Sequence, residues 1–393
     1  MNTMASKENV NTKKSTIVIL GAGIIGLTTA YELSKVGHFN VHVVEKRNDV
    51  CKGASYQNGG VVNVESIAPV NSYMSLWKTI QSSVISYVTG EPTNSMIRPS
   101  ALLEPNLLLW VKHFMLNSSK DKIKYHSEGM RQIGATITPL MEEMFECTGF
   151  DRQSHNFHYT PGLILSSVKN PEAYVHSKRN TFDEVFKKKY ITGKDLEKIK
   201  SQSGIRGLDE SVVDNTINVG CLEPNNITVN TKTLGDSLKQ YLLENGVQFT
   251  FGREVNLVTN SNDDKIKHLK CDDGSIICGD SFVVCCGYDS NRLLKSIGMA
   301  VPLVPIKAYS LHINSIQSAV NWRYAVHIQA ESGVAGLYTP YREGQDLHSL
   351  RITGIRDMDG VNPIERPERL KALMQVAQRY YNFCFCYLFL NII

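Results

Sequence analysis

The first clear pattern is residues 16–20, a short run that is almost wholly apolar. Such a run, without polar alternation, suits a central parallel strand buried on both faces. Residues 27–35 then follow a helical pattern that ends near Gly37, a residue suited to the position just past a helix. Residues 41–44 repeat the buried-strand signal, and Glu45 ends it. Helices are expected over 100–116 and 127–147. Further on, 230–243 reads as an amphipathic helix and 246–251 as a strand. A β-meander is predicted over 265–278, turning at Asp272, Asp273 and Gly274. Residues 279–287 read as a buried strand ending in small residues and a glycine.

The turn between the first strand and helix reads Gly21, Ala22, Gly23, Ile24, Ile25, Gly26. Gly21 permits a tight turn, Gly23 lets backbone approach a pyrophosphate, and Gly26 lets helix and strand pack closely. Phosphates then meet a helix N-terminus, where N–H groups and the positive dipole end favour an anion. At the tip of the second strand, the Glu45 carboxylate can accept hydrogen bonds from ribose hydroxyls. This order of elements points to dinucleotide binding. The acid would repel a 2′-phosphate, which argues against NADP but does not separate FAD from NAD.

Composition narrows the class. The chain has 393 residues, 42% hydrophobic and 20% charged, which suits two or three domain-sized units of a globular protein. Its formal charge of +4 is too small and dispersed to argue for nucleic acid. The compact basic run, Lys187 to Lys189, reads as a solvated helix face. Nine cysteines show no CxxC pair and no zinc-like spacing, so no metal is expected and a reducing compartment is favoured. Residues 1–15 are polar and lack the pattern of a secretory or mitochondrial leader, so they read as a disordered tail on a cytoplasmic protein. No run of about 18 apolar residues occurs, so no integral membrane segment is expected.

Beyond Glu45, Lys46 and Arg47 precede a small, polar stretch containing Ser55, Asn58, Gly59 and Gly60. It resembles the segment that runs under the pyrophosphate and ribityl chain in FAD enzymes of the glutathione-reductase and amine-oxidase types. Glu254 and Val255 fall where such enzymes touch adenine by backbone. Residues 279–287 look like their D-x-V-V-x-A-x-G strand, with Gly287 at its end. Cys285 and Cys286 replace the usual small pair and read as small buried hydrophobes rather than reactive thiols.

Taken together these segments resemble the FAD-dependent DAO superfamily of amine oxidoreductases, and within it the bacterial D-amino acid dehydrogenase small subunits. Three stretches carry the narrower likeness: residues 55–60, like T-S-x-x-N-x-G; 302–310, like P-V-x-P-x-K-G-Y-S; and 350–360, like R-I-x-G-x-x-E-x-x-G. Ala308 stands for a common glycine and Asp357 for a glutamate. The family pattern continues with a tryptophan-containing strand and a G-H-G-x-x-G-W-T turn that this chain does not show. Residues 379–393 are instead an atypical apolar, uncharged tail. Its readings are a truncated or read-through gene product, a buried terminal strand, and a membrane-anchoring tail.

The resemblance implies an α/β fold: a Rossmann-type FAD-binding domain and a discontinuous α+β substrate domain. Residues 16–66 plus 216–296 would bind FAD, and 67–215 plus 297–378 would form the substrate domain. It implies oxidation of the CH–NH2 group of amino acids, chiefly D-amino acids, to 2-oxo acids and ammonia, with oxygen or a quinone as electron acceptor. The alternatives are a sarcosine, glycine or proline oxidase of the same superfamily and an inactive nucleotide-binding protein. Arg342 and Arg351 are candidates for a carboxylate clamp, against surface ion pairs. Tyr309, Tyr338 and Tyr341 are candidates to line the pocket, and Lys307 to approach the flavin. Trp77, Trp110 and Trp322 read as core.

Overall fold

The computed structural model describes residues 14–56, 58–64, 73–178, 188–202, 217–260, 265–314, 323–329, 336–343, 346–362, 364–380 and 388–392. The chain forms two compact units, one of Met1–Lys52 with Gly235–Val301, the other of Gly53–Leu234 with Pro302–Ile393. It starts in the first unit with β1 (Ser15–Leu20), α1 (Ile24–Val36) and β2 (Phe39–Glu45). In the second unit follow β3 (Val61–Val62), α2 (Tyr73–Thr89), β4 (Ser95–Ile97), α3 (Leu107–Leu116), α4 (Lys120–Thr148) and β5 (His158–Tyr159). Then come β6 (Gly162–Ser166), α5 (Pro171–Lys178), β7 (Lys189–Ile191), α6 (Gly193–Gln202), β8 (Val219–Glu223) and β9 (Ile227–Thr228). The division falls within α7 (Thr231–Glu244). Back in the first unit are β10 (Gln248–Phe251), β11 (Val255–Thr259), β12 (Ile266–Cys271), β13 (Ile276–Ile277), β14 (Ser281–Val284) and α8 (Ser290–Lys295). The second unit closes with β15 (Lys307–Asn314), β16 (Ala325–Gln329), β17 (Gly336–Glu343), β18 (Asp346–Met358), α9 (Pro367–Tyr380) and β19 (Leu388–Ile392).

In the first unit β1 lies inside a parallel sheet of order β10-β2-β1-β14. Val18, Ile19 and Leu20 are buried, as a strand covered on both faces requires. Ile17 pairs with Val41 and Leu20 with both Val44 and Val284. α1 ends at Gly37, whose φ of 71° is the left-handed cap geometry. The meander is the separate sheet β11-β12-β13, turning at Gly274 (φ 86°) while Asp273 accepts from the Ser275 N–H and hydroxyl.

The second unit is built on a sheet of order β19-β15-β18-β17-β16-β6-β8-β7, with β4 beside β18. Its apolar face carries Tyr309, Leu311, Ile313, Tyr338, Leu350 and Ile352, packed with Leu370 and Leu373 of α9. Each such side chain contributes about 1.5–3 kcal/mol by leaving water. Between β15 and β18 the register shifts at Ala308/Tyr309, and Ile355 there adopts φ 56°. That is a β-bulge held by a β-branched residue in a conformation it rarely adopts.

Several expectations change. The helix expected over 100–116 is a 3-10 turn, Pro99–Leu103, followed by α3. Pro105 separates them, because proline has no N–H and disfavours helix at the residue before it. The helix expected over 127–147 begins earlier, where the Ser119 side chain accepts from the Lys122 N–H. Lys188 is no solvated helix residue: it is an ion-pair partner of buried Glu223 at 3.0 Å, and Lys189 opens β7. Lys187 lies outside the described residues. Trp77 is 46% exposed rather than core, Trp110 is half-buried, and Trp322 lies outside the described residues. Residues 55–60, expected with the nucleotide-binding part, cluster with the second unit. In the apolar tail, β19 pairs antiparallel with β15, Leu390 opposite Leu311; residues 381–387 lie outside the described residues, as do 1–13 at the other end. Among the described residues no helix is long and apolar enough to cross a membrane.

Candidate functional site

The first unit builds a turn that fits a dinucleotide. Gly21 adopts φ 103° and its N–H donates to Val44 O at 2.8 Å. A Cβ on Gly21 would lie 2.6 Å from Cys285 O, and one on Gly26 would overlap Gly21 O. Both glycines are therefore required by backbone on the other side. α1 starts at Gly23 with no side-chain cap and no acid in its first turn. Its leading N–H groups, which a helix cannot satisfy internally, suit an anion. Ile25, in that first turn, is exposed.

Glu45 is buried at the end of β2. Its Oε2 accepts from the Ala22 N–H at 2.7 Å and its Oε1 from the Arg47 N–H at 2.9 Å. Each oxygen keeps a lone pair, so the carboxylate is fixed in place with capacity left for hydroxyl donors. Arg253 N–H donates to Glu45 O and Gly252 N–H to Arg47 O, which lays the start of β11 and buried Val255 alongside. The Lys46 ammonium is paired with Asp289 in the same unit. Gly287 adopts φ 58° with open space where a Cβ would be.

Cys286 sits in the same unit with its Sγ toward Leu20 O at 3.3 Å. Burial, and then the Glu45 charge, push its thiol up to about 11. The thiolate is the reactive form. At pH 8, alkylation of Cys286 should run on the order of a hundredfold slower than at an ordinary cysteine. Peptide mass spectrometry, with exposed Cys147 and Cys278 as internal references, should show its rate climbing until pH passes 10. A plateau below pH 9 would contradict this.

In the second unit a different group of candidates meets. β17 and β18 pair Thr339 with Arg351, Tyr341 with Ser349 and Leu337 with Thr353, so these six share one face. Ser310 and His312 of β15 join them, opposite Thr353 and Arg351. The segment from Asn58 to Gly60 lies on this face. Arg351 Nη1 donates to Asn58 O at 3.0 Å and Thr339 Oγ1 to Gly59 O at 2.6 Å. Gly60, at φ 65°, carries its backbone where a Cβ would overlap the Tyr341 hydroxyl. The Arg351 guanidinium stands 5.0 Å from the Tyr341 ring centroid. His312 Nε2 lies 3.1 Å from Ser349 Oγ. Burial raises the Tyr341 hydroxyl above its ordinary value, with the Arg351 charge acting against it. Asn58 turns its own carbonyl inward, where Oδ1 accepts from Gly60 N–H and from Thr231. Thr231 also donates to Ser55 O.

The structure separates other predicted residues from this face. Tyr309 and Tyr338 point into the apolar core. Lys307 Nζ donates to Ile364 O at 2.8 Å and pairs with Asp359 at 3.5 Å. Arg342 lies on β17, with its side chain outside the described residues. Sequence reasoning missed Thr339, Ser349, His312 and Ser310. Their signal was strict alternation: Ser310, His312 and Ser349, Arg351, Thr353 are polar at every second position. It also missed a buried charge cluster. Asp357, fully buried, pairs with Arg369 at 2.7 Å and Arg98 at 3.1 Å. Asp359 takes both arms of Arg366 at 2.9 Å and a bond from Ser100.

Residues 16–383 match the family described as FAD dependent oxidoreductase, DAO. The chain belongs to this family. The oxidoreductase is similar to D-amino acid dehydrogenase of Rhizorhabdus wittichii, 24% identical over 307 residues that cover 77% of this chain and 68% of that one. It is 23% identical to D-amino acid dehydrogenase of Vibrio cholerae over 386 residues, covering 92% and 80%. Among solved structures it resembles glycine oxidase from Geobacillus kaustophilus (TM-score 0.60, 16% identity, 93% of this chain and 78% of that one). L-proline dehydrogenase from P. horikoshii gives 0.57, 16%, 96% and 80%. The fold is thus the expected α/β class, a Rossmann-type FAD-binding part with a substrate-domain sheet. The family's cofactor is FAD, and the first unit fits its adenine-dinucleotide end by the Gly21–Gly26 cradle and the fixed Glu45 carboxylate.

Proposed function

We propose that the oxidoreductase acts in the cytoplasm on the α-amino group of D-amino acids. The observation that carries this is Arg351, held by the Tyr341 ring and Asn58 O on the polar sheet face of a chain similar to D-amino acid dehydrogenases. In this reading Gly21 to Gly26, Glu45, Arg47, Val255 and Gly287 hold the nucleotide end of FAD, and Ser55 and Asn58 to Gly60 serve its remainder. FAD, when bound, supplies a two-electron acceptor that takes hydride from the substrate α-carbon. The chain's task is placement. A guanidinium matches a carboxylate with two parallel N–H bonds, and its planar fork fixes the direction of the α-carbon. Asn58 O and the Tyr341 ring hold that fork. The neutral amine, losing hydride from its α-carbon, becomes an iminium ion, and water converts this to a 2-oxo acid and ammonium. Oxygen or a quinone then reoxidises the enzyme.

The purified chain is expected to carry FAD, and anaerobic D-alanine should bleach the flavin absorbance. Arg351→Ala should raise KM for D-alanine by about a hundredfold with FAD retained, as loss of charge-assisted hydrogen bonds implies. Bleaching by sarcosine or proline and by no D-amino acid would replace this reading with a secondary-amine oxidase. Loss of FAD in the variant, with KM unmoved, would make Arg351 a support for the Asn58 segment alone.

A further inference from the structure

The polar sheet face of the second unit carries a second guanidinium. Ser310 and His312 of β15 lie on the face of Arg351, so Ala308, two places before Ser310, lies there too. Arg356 stands opposite Ala308, and residues directly opposed in an antiparallel pair share a face. On its other side Arg356 is beside Ser95 of β4. Arg351 and Arg356 thus face the same way from β18, five positions apart.

The two arginines differ in what holds them. Arg351 is buried, with its guanidinium fixed by Asn58 O and the Tyr341 ring. Arg356 is exposed, and among the described residues no carboxylate pairs with it. Arg98, Arg366 and Arg369, by contrast, each meet Asp357 or Asp359 on the other side of the sheet. His327 is half-buried on the polar face, opposite Leu337, which is itself opposite Thr353. Burial, and then the Arg356 charge, push its imidazole below the ordinary value, with the Glu223 charge opposing. The imidazole is therefore neutral at pH 7, and Arg356 supplies the positive charge at this end of the face.

We propose that Arg356 binds a second carboxylate, so that the oxidoreductase selects amino acids with an acidic side chain of glutamate length. The inference rests on the carboxylate role proposed for Arg351 and names the substrate class of that same face. Five strand steps separate the two Cα atoms by about 16 Å. A five-carbon diacid bonded at both ends by charge-assisted hydrogen bonds holds two guanidinium carbons about 13 Å apart. The unpaired Arg356 side chain is free to swing through the difference. An aspartate-length acid is one methylene shorter, and an aliphatic amino acid meets Arg351 alone.

Titration calorimetry of the whole protein with glutarate and with valerate, a five-carbon monoacid, tests this without turnover. Glutarate should bind at least about tenfold tighter, as one added charge-assisted pair implies. Arg356→Gln should remove that advantage, and Arg356→Lys should keep part of it, because an ammonium has the charge without the fork. Arg351→Ala should weaken both acids. Arg356 is exposed, so thermal unfolding of its variants should match the parent. In kcat/KM, D-glutamate should exceed its uncharged isostere D-glutamine by about tenfold, and Arg356→Gln should level the two. Equal binding of glutarate and valerate, or an advantage that survives Arg356→Gln, overturns the proposal. So does oxidation of D-glutamine as efficient as that of D-glutamate, a result that leaves the D-amino acid reading standing. A flavin that no D-amino acid bleaches sinks that reading instead, and the glutarate titration still decides the second carboxylate site.

Discussion

Gly26→Ala should yield a protein that purifies without FAD, its affinity weakened at least about a hundredfold, or about 3 kcal/mol. The added methyl would overlap Gly21 O, an atom fixed by the bond from Gly21 N–H to Val44 O. Backbone cannot yield as a side-chain tip can, and interiors have little free volume. α1 must therefore move off β1, and its N-terminus leaves the place where the pyrophosphate binds. Gly37→Ala is the control. Gly37 also has a positive φ, 71°, but a Cβ there meets nothing within 4 Å. It should cost about 1 kcal/mol of stability and keep the flavin. Flavin content per protein, measured after extraction, separates the two. Equal loss in both variants would show that backbone strain, and not contact, is what matters.

Asp357→Ala should lower stability by about 3–5 kcal/mol, the cost of leaving a buried charge without its partner. Its carboxylate is 0% exposed and faces Arg369, itself 1% exposed, and Arg98. Burial drives the Arg369 guanidinium below its ordinary value, with Asp357 opposing. Removing Asp357 removes that opposition. Tm should fall by about 10 °C. Adding Arg369→Met should return part of the loss, because the stranded cation is gone and Arg98 can turn toward solvent. If the double variant were no more stable than Asp357→Ala alone, the two residues would not be coupled. Flavin absorbance should persist in both, since the nucleotide cradle belongs to the other unit.

The nucleotide-binding end was legible because its logic is local. An unbroken apolar run, three glycines and one acid stand in chain order, and each answers to a nearby partner. The sheet face of the second unit was only half legible. Arg351 was picked out within a motif, but the motif reading hid the alternation that also placed Thr353, Ser349 and His312 beside it. Tyr309 and Tyr338 were chosen for their chemistry, although that same alternation set them among Leu311 and Ile352 on the apolar side. The charge cluster was beyond reach for another reason. Arg98 meets Asp357 across 259 positions of chain, and no local period reports such a pair. Asn58 shows a third kind of limit. Its Oδ1 closes a turn on Gly60 N–H and its backbone carbonyl accepts from Arg351, partners that no residue type in the local stretch announces.

The bulge at Ile355 has a consequence for how one strand divides its labour. From Ser349 to Thr353, odd-numbered residues of β18 point to the polar face and even-numbered ones to the core. Ile355 inserts a half-step, after which Arg356 pairs with Ala308 and Asp357 with Lys307. Parity is thereby inverted: Asp357, odd like Arg351, turns to the opposite side and enters the charge cluster. One ribbon thus changes phase midway, walling a prospective substrate face with its first half and locking α9 with its second. Removing that single residue would exchange the sides, delivering a carboxylate to the face that Arg351 serves.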